Sequence, residues 1–184
     1  MLTDTFPTAV RINGECYPVR SDFRTALKIM EAFEDTRLTA QEKQAVMLDL
    51  LFPDIPPDIG AAMRAAVKFL DCGRTRDEEP TGGRVYSFTK DAPYIYSAFL
   101  QTYGVDLQTA DLHWWKFVAM FGDLSEDTTF EKIRIMRDRH NRGKLTKEEQ
   151  AAWSECRELL DLDFEGPDAE TMAAREKFDS LLRG

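Results

Sequence analysis

The chain has 184 residues, 43% of them hydrophobic and 31% charged, with a formal net charge of -9. Such a composition supports a globular core built without disulfides. The acidic balance argues against partners that are met through excess Lys and Arg, namely nucleic acid and anionic membranes.

Three cysteines, Cys16, Cys72 and Cys156, are odd in number and far apart, so no disulfide framework is expected. Each falls at a position that reads as buried, and reduced thiols fit a cytoplasmic protein. The opening MLTDTFPTAV lacks a basic head and a long apolar run, so no signal peptide is expected. No apolar run approaches the roughly 18 residues that a membrane span requires.

In VRINGECYPV, residues 10–19, Asn13-Gly14 is the dipeptide that a two-residue type I′ hairpin turn favours, since both positions need positive φ. Val10 and Ile12 alternate with Arg11 before the turn, and Tyr17 and Val19 continue after it. The remaining periodicity is helical. Ser21 or Asp22 caps a helix to about Glu34, with Phe23, Ala26, Leu27, Met30 and Phe33 on its apolar face. Thr39 and Glu42 form a capping box for a second helix carrying Val46, Met47, Leu50 and Leu51, stopped by Pro53. A third starts after DIPPD (54–58), with Ile59, Met63, Ala66, Val67 and Leu70 on one side and Gly73 at its end.

GRTRDEEPTGGR, residues 73–84, holds no apolar side chain and reads as a mobile loop inside one domain. VYSF (85–88) is either a short strand or an extended lead-in. Asp91 caps a helix with Pro93 in its first turn, Tyr96, Phe99, Leu100 and Tyr103 on its buried face, and Gly104 at its end. A helix over about 109–121 and another over about 128–139 follow. Thr146 and Glu149 give a second capping box, for a helix with Ala152, Trp153, Cys156, Leu159 and Leu160. After GPD (166–168), a last helix displays Ala174, Phe178, Leu181 and Leu182 as a narrow stripe. The expected fold is mainly α: one compact multi-helix domain over 1–184 with a short N-terminal β-hairpin.

LHWWKFVAMF, residues 112–121, is the densest apolar stretch and holds two of the three tryptophans side by side. On a helical wheel Leu112, Trp115 and Ala119 take one flank, and Trp114, Phe117 and Phe121 another. Val118 bridges the flanks, leaving His113, Lys116 and Met120 for water. Either both flanks pack within the chain, or the flank of Trp114, Phe117 and Phe121 faces a partner, as tryptophan-rich surfaces do.

Enzyme chemistry finds little footing. The two histidines, His113 and His140, are far apart, and no CxxC or HxxxH spacing exists, so no metal, cofactor or catalytic residue is expected. The GG at 82–83 has no following Lys-Ser/Thr and is no phosphate loop. Between Glu131 and Lys144 six Lys or Arg face two acids, whereas the chain from Leu145 onward is acidic. This pattern reads either as internal pairing or as a basic patch, centred on Arg134 and Arg137, for an acidic partner. The stripe of Phe178, Leu181 and Leu182 similarly fits either the core or a groove in another subunit.

YPVRSDFRTALKI (17–29), LLFPDIPPD (50–58), YSFTKDAPYIYSAFLQTYGVDL (86–107) and LHWWKFVAMFGDLSEDTTFEKI (112–133) together resemble the bacteriophage gene-product-fifteen family. These are small tail-module proteins of siphophages and prophages. The resemblance covers about residues 8–140 and weakens from about 145, where a C-terminal helical extension begins. It implies a non-enzymatic tail assembly chaperone in the host bacterial cytoplasm. The implied partners are apolar helices of the tape-measure protein and, beside it, the tail-tube protein; self-association stays open. The alternative is a structural tail component retained in the virion.

Overall fold

The computed structural model describes residues 3–74 and 83–163. The fold is mainly α, with one N-terminal hairpin, as the periodicity implies. Strands β1 (Ala9–Ile12) and β2 (Glu15–Pro18) pair antiparallel, Ile12 opposite Glu15. Asn13 and Gly14 take φ of 49° and 91°, the left-handed pair that the type I′ turn demands. A lone hairpin is marginal in water, and this one lies on helix α3 (Ile59–Leu70).

The first three helices pack in sequence: α1 (Phe23–Glu34) on α2 (Ala40–Leu51), and α2 on α3. Their starts follow the sequence signals. Asp22 accepts from the Arg24 N–H at 2.8 Å, Thr39 and Glu42 close a capping box, and Asp58 accepts from the Ala61 N–H. The C-terminal end of α2 is closed from a distance: the Arg20 guanidinium donates to the carbonyls of Asp49, Leu50 and Phe52 at 2.8–3.0 Å.

Residues 85–88 form no strand. Helix α4 (Ala92–Tyr103) follows, ended by Gly104 in the left-handed region at φ 66°. Helix α5 (Trp114–Phe121) packs on α1, and α6 (Thr129–Asn141) packs on α4. Helices α7 (Lys147–Glu155) and α8 (Arg157–Leu160) divide a single expected helix at Cys156, whose ψ of 27° breaks the turn. The capping box of Thr146 and Glu149 opens α7 as expected. The last expected helix, and most of the loop at 73–84, lie outside the described residues.

Phe117 is the hub of the core. It stacks on Phe23 and Phe99 at 5.0 Å each and on Trp114 at 5.7 Å. One cluster of buried side chains runs from Ile12 in the hairpin to Phe130 in α6.

Candidate functional site

Helix α5 begins later than the pattern at 109–121 implies. Asp106 explains the delay. Its carboxylate and carbonyl accept the N–H groups of Gln108 and Ala110, folding that segment into a turn. The backbone then pairs with the start of α1: Phe23 N–H donates to Leu112 and Trp114 N–H to Ser21, at 3.0 and 2.7 Å. His113 is therefore the N-cap of α5 and not a helix-face residue. Its Nδ1 accepts from the Trp115 N–H at 3.0 Å, which leaves Nε2 to donate to the Pro7 carbonyl at 2.9 Å. Phe6 stacks on the same ring.

The tryptophan doublet closes the end of α3. Trp114 Nε1 donates to Leu70 O and Trp115 Nε1 to Phe69 O, both at 2.8 Å. Those carbonyls belong to the last turn of α3: Leu70 O has no backbone donor, and Phe69 O accepts the Cys72 N–H as well. Gly73, at φ 74°, lets the chain turn beneath them; a Cβ there would sit 3.2 Å from the Trp115 ring. Adjacent residues on α5 thus reach adjacent carbonyls on α3.

These contacts correct the partner-facing reading of the Trp114 flank. Trp114 is 4% exposed and Phe117 is fully buried. Phe121 is partly buried and turns inward against Tyr86, Phe88 and Phe130, with ring centroids 5.1–5.3 Å away. The flank is core because two elements cover it: the end of α3 on one side, and residues 85–88 with α6 on the other.

The basic segment is largely consumed internally, which also removes Arg137 from any surface patch. Arg137 is 1% exposed. Its guanidinium pairs with both Asp91 oxygens at 2.6 and 2.9 Å, and donates to the carbonyls of Leu159 and Leu160 in α8. Asp91 consequently makes no side-chain cap on α4. Its Oδ2 instead also accepts from the Ser87 N–H. Arg134 is half-exposed but bound to Glu131, and Arg139 reaches Glu149 in α7. Trp153 of α7 lies flat on His140 of α6 at 3.8 Å. Phe178, Leu181 and Leu182 lie outside the described residues.

The cysteines also depart from expectation. Cys16 and Cys156 are exposed, and only Cys72 is partly buried. Burial pushes the Cys72 thiol up to about 11. Among the described residues no group of three His, Cys, Asp or Glu is placed to hold a metal, and no helix is long and apolar enough to cross a membrane.

What remains open is a furrow along the α2–α3 seam. The face of α3 divides. Ala62, Ala66, Phe69 and Leu70 point into the core, while Ile59, Met63 and Val67, spaced four residues apart, line one outer stripe. Ile59 is 49% and Val67 50% exposed, and Phe33, at the end of α1, is 44% exposed. One stretch of the furrow is lined by Phe33, Met47, Met63 and Val67, with Arg64, Lys68 and Arg74 on its margin. A second, sharing Gln44 and Met63, continues past Leu48 to Ile55 and Ile59. Their volumes are about 530 and 420 Å³. The signal for this surface was present in the sequence, because Ile59, Met63 and Val67 are periodic. It read as core because periodicity cannot say whether a neighbour covers a stripe.

The described residues form a mainly α-helical fold with an N-terminal hairpin, an aromatic core and an apolar furrow beside α3. The family described as Bacteriophage Gp15 protein matches residues 2–162, and the chain belongs to that family. The match runs through α7 and α8, beyond the expected limit near residue 145. No curated protein matches, and no solved structure matches.

Proposed function

We propose that this phage protein is a non-enzymatic tail assembly chaperone whose α2–α3 furrow binds apolar helical segments of the tape-measure protein in the host cytoplasm. The observation that carries the reading is the stripe of exposed Ile59 and Val67 with half-buried Met63 between them, lining a furrow that Phe33 walls at the Val67 end. A helix of 12 residues, the length of α3, spans about 18 Å. A furrow running beside α3 therefore matches two or three turns of an incoming amphipathic helix, anchored at i, i+4 and i+7 spacing. Met63 suits a surface that must accept more than one apolar sequence, since methionine adapts its shape at little cost. The net charge of -9 helps keep a complex with an apolar client in solution.

Co-expression with the tape-measure protein of the same phage tests the reading. The expected result is a soluble tape measure that co-purifies with this chain, and loss of that effect with Ile59→Asp and Val67→Asp. A tape measure that stays insoluble, with no co-purification, sinks it. Stoichiometric recovery of this chain from purified particles would favour a structural role instead.

A further inference from the structure

We propose that the free edge of strand β1 is a docking site for an extended, acid-bearing segment of a partner protein, which adds to the hairpin as a further strand. The site lies across α3 from the furrow, with Lys68 on the ridge between them, and it stands whether or not the furrow binds a client.

Main-chain accounting selects the edge. Val19 N–H donates to the Thr8 carbonyl at 2.9 Å, and the register sets Val10 opposite Tyr17 and Ile12 opposite Glu15. Bonded and non-bonded pairs alternate in an antiparallel ladder, so these pairs hold the hairpin together. Ala9 and Arg11, opposite Pro18 and Cys16, fall at the positions between them, and their N–H and C=O groups point away from β2. Neither backbone has a partner among the described residues. Such a row is a template for another extended backbone. The outer edge of β2 is blunted, because Pro18 brings no N–H to it, whereas β1 keeps both donors. The edge is also held in place. Ile12 is buried, and Asn13 Nδ2 donates to Asp58 at the start of α3 at 3.0 Å.

What lies beside the edge selects the occupant. Val10 and Arg11 wall a cleft of about 260 Å³, whose apolar side is Ala65 and Phe69 of α3 and Trp115 of α5. Arg11 and Lys68 line it with no acid, and neither base has an ion pair among the described residues. Val10 and Ile12 share the face that packs on the core. A residue added opposite Val10 takes that face and enters the cleft. Its neighbours stand opposite Ala9 and Arg11 on the outer face, where an acid pairs with Arg11. The matching segment therefore alternates apolar and acidic residues. A second copy of β1 fits less well, since pairing about Val10 brings two arginines onto one face with no acid opposite either.

The test uses the full chain and a short blocked peptide that alternates valine with aspartate, with binding followed by fluorescence anisotropy. Binding is expected, and each of three changes should weaken it several-fold. The first is N-methylation of the aspartate nitrogens. The second is lysine in place of aspartate. The third is Ala9→Pro, which removes an outward N–H and leaves the β1–β2 ladder whole; its melting temperature checks the fold, and the N-methylated peptide asks the same question of the native chain. No binding, or binding indifferent to N-methylation, overturns strand addition. Equal binding of the aspartate and lysine peptides overturns the acidic partner. Self-association of the native chain that Ala9→Pro abolishes in sedimentation, and that the peptide does not compete, makes the occupant a second copy and also overturns the proposal.

Discussion

Replacing Arg137 by methionine tests the structure where it departs furthest from a surface-patch reading. The methionine roughly retains the length of the side chain and removes every donor. Asp91, fully buried, then keeps only the Ser87 N–H and loses a two-pronged ion pair. The carbonyls of Leu159 and Leu160 lose donors at 2.8 and 2.7 Å. Removing one partner of a buried pair costs about 3–5 kcal/mol, because the remaining charge stays desolvated. At about 2–4 °C per kcal/mol for a chain of this size, the melting temperature falls by about 6–20 °C. Urea unfolding at constant m-value is the assay. Asp91→Asn, made in the Arg137→Met background, should cost far less than in the native chain, since no unpaired carboxylate is then left behind. A loss below about 1 kcal/mol, the value of a surface ion pair, would refute the buried geometry.

The tryptophan doublet and the thiols give two further predictions. Trp114→Phe should cost more stability than Trp115→Phe, about 1–3 kcal/mol for an unsatisfied buried acceptor, because Phe69 O retains the Cys72 N–H whereas Leu70 O keeps only a weak Cys72 thiol contact at 3.9 Å. Equal losses in urea melts would contradict the capping assignment. For Cys72, a thiol held near 11 means that the folded state binds that proton more tightly than the unfolded chain does. The associated stability is therefore whole at neutral pH and is lost as pH rises from about 9 toward 11. At pH 8 a thiol reagent should modify Cys16 and Cys156 well before Cys72, and equal rates would refute the burial of Cys72.

Local signals in the sequence translate faithfully into local structure. Asn13-Gly14 makes its turn, and Thr39 and Thr146 open their helices, because each instruction is complete within four residues. The far ends of elements are harder to read. The last carbonyls of α2 are closed by Arg20, those of α3 by Trp114 and Trp115, and those of α8 by Arg137. In each case the donor lies at least 22 residues away, so no window of sequence contains both partners. The same reason explains why two sites stay open in the sequence. Trp114 and Arg137 fit either a surface anchor or the interior when judged by residue type, and they are interior because they complete backbone elsewhere.

The furrow is the reverse case, and it sharpens what exposed apolar surface means in this chain. Ala62 and Ala66 let α3 lie close against its neighbours, while Ile59 and Val67 are about half exposed among the described residues and Met63 between them is partly buried. Isolated exposed apolar side chains are ordinary on soluble proteins. A row at helical spacing, whose Met63 and Val67 share a furrow with Phe33 and the basic Arg64 and Lys68, is more than an isolated side chain and is the surface on which the proposed function rests. Of that row only Met63 packs against the core, and α3 is anchored there by Phe69 and Leu70 and closed by two indoles. Conversion of the half-exposed Val67 to aspartate therefore changes the furrow and should leave α3 folded, so that a loss of tape-measure binding without a fall in melting temperature would support the proposed function.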